Sequence, residues 1–291
     1  MEEEKLRKIA AFEEMLSKYD KEDKIISSLE AYESLKDEKE PFTIKSGFPR
    51  LDELIGGFQC GELIIISGET KHGKTTLCQT LTENIAKQKI NCLWFSYEMP
   101  KRQFLSKFSE LPLFYLPRLL KSRSLGWIET RIWEAKIKAN IKAVFIDHLH
   151  YLVDMEKLRN PSIEIGSIVR RLKRMAIKHN IVIFLICHTT KVASYQEPTY
   201  QDIRDSSFIA QESDGVFMIR RLDEPDRSRL TISIHRRTGI RKKAIILVYY
   251  NNHLYEEEAE AKKTQQALHA LDGYKSNSKV AESSRIGGTE P

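Results

Sequence analysis

The sequence has few cysteines and no long apolar run. Its four cysteines, Cys60, Cys78, Cys92 and Cys187, show no C-x-x-C spacing, which argues against both a disulfide framework and a thiolate metal site. We interpret them as free and mostly buried thiols of a protein in a reducing cytoplasm. Apolar runs such as residues 181–187 are far shorter than the ~20 residues that a bilayer-spanning helix needs. The sequence therefore predicts no membrane partner.

Targeting signals and internal repeats are also missing from the sequence. The first four residues, Met-Glu-Glu-Glu, are acidic, which argues against a secretory or mitochondrial targeting peptide. Hydrophobic residues make up 41% of the chain and charged residues 30%, a balance typical of soluble globular proteins. A length of 291 residues is typical of one large domain, or of one domain with appendages. We expect a cytoplasmic protein.

The net charge of +6 is unevenly distributed along the chain. Residues 1–40 carry 13 acidic and 8 basic side chains, a net charge of −5, whereas the remainder carries 28 acidic and 39 basic side chains, a net charge of +11. A basic core favours a nucleic-acid partner, because phosphates attract Lys and Arg. Many basic proteins have no such partner, so charge alone does not decide the matter.

The chain divides into three predicted regions. Residues 1–40 form a helical leader, since apolar residues recur at helical spacing, beginning with Leu6, Ile9, Phe12 and Leu16. That apolar stripe needs a surface, which either this subunit's core or a neighbouring subunit's core provides. Residues 41–257 form the core, and residues 258–291 form a polar, partly disordered tail.

The core alternates strands with helices, which is the pattern of an α/β fold with a mainly parallel sheet and helices on its faces. Three further strand-like runs follow without intervening helices, which predicts antiparallel strands at the C-terminal side of the sheet. The predicted elements are strands near 63–67, 91–96, 143–146, 182–187, 215–220, 230–236 and 244–250, and helices near 74–88, 125–140 and 163–179.

A complete G-x-x-x-x-G-K-[ST] phosphate loop lies between the first of these strands and the first helix. In this arrangement backbone N–H groups and the helix dipole favour an anion, Lys74 reaches the β- and γ-phosphates, and Thr75 ligates Mg²⁺. The sequence therefore predicts a site for a nucleoside triphosphate with Mg²⁺. The predicted nucleotide-binding residues are Gly68, Glu69, Thr70, Lys71, His72, Gly73, Lys74, Thr75 and Thr76.

Polar side chains follow three other predicted strands, where the site of an α/β protein lies. Glu98 follows the strand that returns after the phosphate-loop helix, so it is a candidate to polarise the attacking water; the alternative is a solvated surface glutamate. Asp147 ends an apolar strand, as a Walker B acid does, and would hold Mg²⁺. His188 ends a third strand and is placed to donate to the γ-phosphate, although a lone histidine is usually structural.

These residues carry a resemblance to the RecA-type core of the DnaB-family replicative helicases. The segment 43–76 resembles the entry to that core, and four later segments match the family in order. The matching segments are F-S-Y-E-M at 95–99, I-D-H-L-H at 146–150, D-I-R-D-S-S-F-I-A-Q-E-S-D at 202–214 and H-R-R-T-G at 235–239. The Asp147-His148 pair and the I-C-H of 186–188 lean towards the phage primase–helicase and Twinkle branch.

The resemblance implies a RecA-like ATPase that forms a ring, usually a hexamer, with each ATP site at a subunit boundary. Lys74, Thr75, Glu98, Asp147 and His188 would come from one subunit. An arginine of the 235–239 segment would reach the γ-phosphate of the neighbouring subunit. Both Arg236 and Arg237 are candidates, with a slight preference for Arg236. Arg220 and Tyr250 lie where the phage branch sandwiches the adenine.

The resemblance also implies single-stranded DNA in a central channel. The channel loops would be the segments near 155–162 and 189–207. Arg204, Asp205 and Ser207 stand at the positions that contact the DNA backbone, with Lys191 nearby. For the basic residues, the alternative is a solvated surface charge.

The chain also departs from the family, because only forty residues stand where the relatives carry a helical collar or a primase. This leaves open a minimal phage or plasmid helicase, a helicase whose primase or loader is a separate polypeptide, or a RecA-fold ATPase that does not unwind. Two alternatives to a helicase remain: a RecA/RadA- or KaiC-like ATPase, and a scaffold that binds ATP only to assemble. The D-I-R-D-S segment favours the helicase, and Glu98 argues against the scaffold.

Overall fold

A computed structural model describes residues 24–36, 40–153, 161–189, 200–203 and 206–257, together with residues 4, 7–8, 11–12 and 14–15. It divides into two compact units, Met1–Pro41 and Phe42–Pro291. Within the described residues, no helix is long and apolar enough to cross a membrane. All four cysteines are free, and three of them are buried, as expected from the sequence.

The first unit contains helix α1, Ser28–Leu35. Ser27 begins this helix with a capping box, since its hydroxyl accepts from the Glu30 N–H and the Glu30 carboxylate accepts from the Ser27 N–H. The described residues between 4 and 15 are also helical. The large apolar side chains of α1 are exposed: Leu29, Tyr32 and Leu35.

The second unit is built on a mainly parallel sheet with antiparallel C-terminal strands, as the sequence predicts, although it has eight strands where the sequence predicts seven. Its strands are β3 (Leu63–Gly68), β4 (Cys92–Ser96), β5 (Ala143–Asp147), β6 (Val182–His188), β7 (Gly215–Arg221), β8 (Arg227–His235), β9 (Arg241–Tyr250) and β10 (His253–Glu256). The strand order is β10-β9-β8-β7-β3-β6-β5-β4, in which the last five strands are parallel and the first three extend the sheet in antiparallel fashion. A separate two-stranded sheet pairs β1 (Thr43–Ile44) with β2 (Phe58–Gln59).

The parallel strands of the large sheet are apolar along their whole length, so both faces of the sheet need cover. Helices provide it on each face. The helices of this unit are α2 (Pro49–Ile55), α3 (Lys74–Lys87), α4 (Lys101–Leu105), α5 (Leu125–Ala139), α6 (Pro161–Lys178) and α7 (Ser206–Glu212), with short 3-10 turns at Leu149–Leu152 and Tyr200–Asp202. One core lies under α3 and the other under α5 and α6. The strands and helices of this unit that the sequence predicts are confirmed, whereas β1, β2, β10, α2, α4 and α7 were not predicted.

The last strand returns to the first helices of this unit. The Leu254 N–H donates to Thr80 Oγ1 at 3.0 Å, although 174 positions separate the two residues. His253 Nδ1 lies 2.5 Å from Glu83 Oε2, and both side chains are buried. The last strand therefore completes the polar contacts of α3, the helix that follows the phosphate loop.

Candidate nucleotide-binding and hydrolysis site

The phosphate loop lies between β3 and α3, in the position predicted from the sequence. Gly73 begins the turn into α3 with φ 91°, a left-handed conformation that favours glycine. Gly68, with φ 153°, lies against β7 so closely that a Cβ would stand 2.2 Å from the Ile219 carbonyl oxygen. A side chain at position 68 would therefore force β3 and β7 apart.

Lys74 is buried at the base of the loop. Its Nζ donates to the carbonyl oxygens of Gly68 at 2.9 Å and Glu69 at 2.8 Å. Burial lowers the pKa of Lys74, and the Glu98 and Asp147 carboxylates oppose that shift. The ammonium therefore lies between the loop and two acidic groups, as a phosphate-binding lysine requires.

Thr75 and Asp147 meet at the start of α3. Thr75 Oγ1 donates to Asp147 Oδ2 at 3.0 Å, while Asp147 Oδ1 is buried without a hydrogen-bond partner among the described residues. Burial first, and the Glu98 carboxylate second, raise the pKa of Asp147 to about 7. A divalent cation favours the ionised carboxylate and takes oxygen ligands, so this pair fits Mg²⁺.

Glu98 and His188 lie at the same edge of the sheet. Glu98 stands two residues beyond β4 and is exposed, and the Tyr97 N–H ties this turn to the Asp147 carbonyl at 2.8 Å. His188 ends β6 and pairs in register with Gly68. Burial, and then the charge of Lys74, lower the pKa of His188 to about 4, so its imidazole is neutral at pH 7.

A cavity of about 430 Å³ joins these groups, a volume within the range of small-molecule sites. The predicted residues Glu98 and His188 line it together with residues 70–76 of the loop. Asp147 reaches the site through Thr75. The cavity is also lined by Met99, Lys107, Arg221, Ser228, Tyr249 and Leu254, which the sequence did not single out.

Arg221 and Tyr249 line the cavity, whereas the predicted adenine residues Arg220 and Tyr250 do not. Side chains alternate between the two faces of a strand. On β7, Phe217 and Ile219 pack on the same face as α3, so Arg221 points to that face and Arg220 to the other. Val216 and Met218 pack on the opposite face, so both faces of β7 are apolar and the sequence pattern alone does not distinguish Arg221 from Arg220.

His72 ties the loop to β7. Its Nδ1 accepts from the Arg221 N–H at 3.0 Å, so this nitrogen carries no proton. Burial lowers the pKa of His72, although the nearby Glu69 carboxylate opposes the shift. The histidine of the loop therefore positions the backbone that carries Arg221.

The two arginines of the 235–239 segment lie in different surroundings. Arg237 donates from Nε to Glu62 Oε1 at 2.8 Å, and its Nη2 donates to the carbonyls of Ile55 and Gly57. Arg236 is exposed and donates to carbonyl oxygens near the end of α7, those of Ala210 and Gln211. Neither arginine lines the cavity of its own subunit.

The predicted DNA-binding residues Lys191, Arg204 and Asp205 lie outside the described residues, as do most residues of both predicted channel loops. Ser207 lies in α7. The described flanks of the second loop, Thr189 and Ile203, form an antiparallel bridge. That bridge joins the base of the loop directly to His188 at the nucleotide site.

Sequence comparisons match this chain to replicative helicases. The family model of the DnaB-like helicase C terminal domain matches residues 43–111 and 119–264. A probable replicative DNA helicase of Trieres chinensis is 28% identical over 218 residues, which cover 61% of this chain and 47% of that protein. Replicative DNA helicase DnaB of Treponema pallidum (strain Nichols) is 27% identical over 209 residues, 61% of this chain and 48% of that protein. The chain thus spans about half the length of these relatives.

Two solved structures share the fold. One is titled as a DnaB-like replicative helicase and its interactions with primase; it has a TM-score of 0.68 and 17% identity, and the match covers 84% of this chain and 71% of that chain. The other is titled as an ATPase domain, with a TM-score of 0.68 and 17% identity over 79% of this chain and 97% of that chain. The RecA-like α/β architecture predicted from the sequence is confirmed.

Proposed function

The chain belongs to the DnaB-like helicase C-terminal domain family, and on this basis we propose that it is an ATP-driven replicative DNA helicase. It assembles as a ring, most simply a hexamer, and translocates on single-stranded DNA in the cytoplasm of a bacterial host of a phage or plasmid. The observation that carries the proposal is the convergence of the phosphate loop, Glu98 and His188 on one cavity.

Hydrolysis follows from the positions of these groups. Lys74 neutralises charge on the β- and γ-phosphates, and Thr75 and Asp147 hold Mg²⁺, which supplies further charge neutralisation when bound. Glu98 orients and deprotonates the attacking water, since it is the acidic side chain that lines the cavity. His188, which is neutral at pH 7, donates a hydrogen bond towards the γ-phosphate. Loss of that phosphate on hydrolysis changes the position of His188 and of the loop that follows it.

The base of the nucleotide contacts the part of the cavity that Arg221 and Tyr249 line. Arg221 and Tyr249 provide a guanidinium and an aromatic ring there, the two groups that stack on a nucleobase. We assign base contact to this pair in place of Arg220 and Tyr250. Tyr249 is fixed by the hydrogen bond of its hydroxyl to Asn252 Oδ1 at 2.8 Å.

The arginine that completes the site comes from the neighbouring subunit, and we assign this role to Arg236. Arg237 neutralises the buried Glu62 carboxylate and bonds two backbone carbonyls, so it holds its own subunit together. Arg236 is exposed, and among the described residues its guanidinium donates to carbonyl oxygens, contacts that it can exchange for a phosphate. Ring assembly therefore gives each ATP site its last cation.

Single-stranded DNA passes through the ring centre, where Lys191, Arg204, Asp205 and Ser207 contact its backbone. The bridge between Thr189 and Ile203 couples this loop to His188. A primase or a loader encoded as a separate polypeptide is the expected protein partner of such a helicase.

Strand displacement on forked DNA tests the proposal. The protein with ATP and Mg²⁺ should release the labelled strand, and Lys74→Ala, which lacks the phosphate-binding ammonium, should not. Electron microscopy of the same samples should show closed rings. Rapid ATP hydrolysis without displacement, or helical filaments in place of rings, would refute the helicase and favour a RecA/RadA- or KaiC-like ATPase.

A further inference from the structure

Three metal-ligating side chains converge beside the ATP site. Glu98, His148 and His188 follow or end the neighbouring strands β4, β5 and β6. Their ligand atoms all lie within 4.8 Å of one another. Across the part of the chain that the structure describes, no other set of three His, Cys, Asp or Glu residues meets this distance. We call this set the Glu98–His148–His188 trio.

The donor atoms of the trio suit a transition metal. Two imidazole nitrogens and one carboxylate oxygen form the His₂Glu set that binds Zn²⁺ with a fourth position open. Mg²⁺ prefers oxygen ligands in octahedral geometry, and Thr75 with Asp147 offers oxygen alone. The two neighbouring cation positions therefore select different ions by ligand type.

The two imidazoles are oriented for this role. His148 Nδ1 accepts from the His150 N–H at 3.3 Å, which fixes the ring and leaves Nε2 as the ligating nitrogen. His188 Nδ1 is buried and has no hydrogen-bond partner among the described residues. A buried nitrogen without a partner is costly, and a metal bond to the His188 ring together with a small rotation satisfies it. The two rings are nearly perpendicular, with centroids 4.3 Å apart.

Only a small closure is needed to form the site. Tetrahedral zinc with bonds of 2.0–2.1 Å sets ligand atoms about 3.3 Å apart. Glu98 is exposed, so a rotamer change can bring its carboxylate from the present separation of up to 4.8 Å to the separation that zinc requires. Lys74 is the basic group that faces the trio, and the carboxylates of Glu98 and Asp147 offset its charge.

We propose that Glu98, His148 and His188 bind a divalent transition-metal ion of the zinc class, and that the bound ion stops ATP hydrolysis. The second clause rests on the proposed function, in which Glu98 is the base. A carboxylate bonded to the metal no longer accepts the proton of the attacking water. Nucleotide binding continues, because Lys74, Thr75 and Asp147 are not ligands of this ion.

Cobalt(II) is the probe for binding, since its visible absorption reports tetrahedral nitrogen and oxygen ligands. The full chain should bind one equivalent, and His148→Gln and His188→Gln should each weaken binding at least about tenfold. His150→Gln is the matched control, because its ring lies 5.5 Å from that of His148 but outside the trio. Equal cobalt affinity in the parent and in both trio variants would overturn the site.

Zinc inhibition tests the second clause separately. With ATP and Mg²⁺ held constant, Zn²⁺ should lower phosphate release by the parent and by His150→Gln at least about tenfold, and a chelator should restore it. His148→Gln should keep its own rate when zinc is added. Cobalt binding by the trio with phosphate release unaffected by zinc would overturn the inhibition and the role of Glu98, and would leave the metal site standing.

Discussion

Thr75 and Asp147 are joined by a hydrogen bond of 3.0 Å from Oγ1 to Oδ2, although 72 positions separate them in the sequence. Thr75 lies in the first turn of α3, and Asp147 ends β5. The contact holds the two proposed magnesium ligands against each other in the folded chain. The folded chain therefore already holds both side chains in place.

Substitutions of Lys74 and Glu98 should impair different steps: nucleotide binding in the first case and hydrolysis in the second. Lys74→Ala removes the ammonium that meets the phosphates, so a fluorescent ATP analogue should no longer bind. Glu98→Gln keeps the shape but loses the base, so binding should persist while phosphate release falls by roughly 100-fold or more. Glu110→Gln, at an exposed position outside the cavity, is the control. A Glu98→Gln protein with the parent rate in the presence of DNA would remove Glu98 from the mechanism.

Mixed rings test the subunit boundary. Arg236→Ala and Lys74→Ala should each be inactive alone, and should regain part of the activity when mixed, because some boundaries then pair an intact loop with an intact arginine. Loss of the arginine should lower the rate on the order of 10³-fold. Phosphate release at several mixing ratios measures the recovery. No recovery in mixed rings that have assembled would contradict an arginine acting between subunits.

Arg237→Ala supplies the comparison for that experiment. It leaves the buried Glu62 without its ion pair, so this variant should unfold at a lower temperature than Arg236→Ala. Recovery of activity with Arg237→Ala but not with Arg236→Ala would move the catalytic arginine by one residue.

The leader should hold the ring together by docking on an adjacent subunit. In α1 the apolar residues Leu29, Tyr32 and Leu35 are exposed, and exposed apolar groups favour association. Deleting residues 1–40 should shift the protein towards monomer in sedimentation, and the remaining chain should still bind ATP. A truncated protein that sediments as the full ring would refute this role.

Arg204 should contact phosphates and not bases, because a translocating motor grips any sequence. Each phosphate contact on single strands changes the logarithm of affinity by about 0.7 per logarithm of salt. Arg204→Ala should weaken binding equally for several oligonucleotides, flatten the salt dependence and remove DNA stimulation of ATP hydrolysis. Lys191→Ala should act in the same direction. Unchanged affinity and salt slope in Arg204→Ala would place this loop outside the DNA path.

Acid should destabilise the protein through His235. The side chain is fully buried, and burial lowers its pKa below 6.5, so the folded form keeps it neutral. Below pH 6.5 the unfolded chain takes up the proton first, and the ratio of folded to unfolded protein falls by up to about tenfold per pH unit. Urea midpoints at pH 7.5 and 5.5 should show a smaller difference in His235→Gln than in the parent. Equal differences would show that His235 does not titrate on unfolding.

Local patterns predicted most of the strands and helices, and they indicated several of the residues that line the cavity. The apolar runs around Ile65, Val144 and Phe184 predict buried strands, and the phosphate loop carries its own spacing. Strand order is not local: β5 and β6 lie between β3 and β4, so Glu98 reaches the cavity from the edge of the parallel half of the sheet. The spacing of residues along the chain does not contain that arrangement.

Contacts between distant segments explain why the sequence did not single out other residues of the site. Arg221 and Tyr249 differ from Arg220 and Tyr250 by one position, and a shift of one residue reverses the face of a strand. The metal-binding role proposed for His148 depends on β4, β5 and β6 lying side by side. Tertiary packing decides which residues line the site, and a single sequence contains little information about that packing.

Because β10 packs against α3, the contacts of α3 are completed only late in the synthesis of the protein. Thr80 leaves the ribosome long before Leu254, and at ~5–20 residues per second the 174 positions between them take roughly 10–35 s to translate. During that interval α3 lacks the backbone partner of Thr80 and the imidazole partner of Glu83. A nascent chain that ends before His253 should therefore depend on chaperones. On a ribosome stalled at that point, the helix that follows the phosphate loop should lack its contacts with β10.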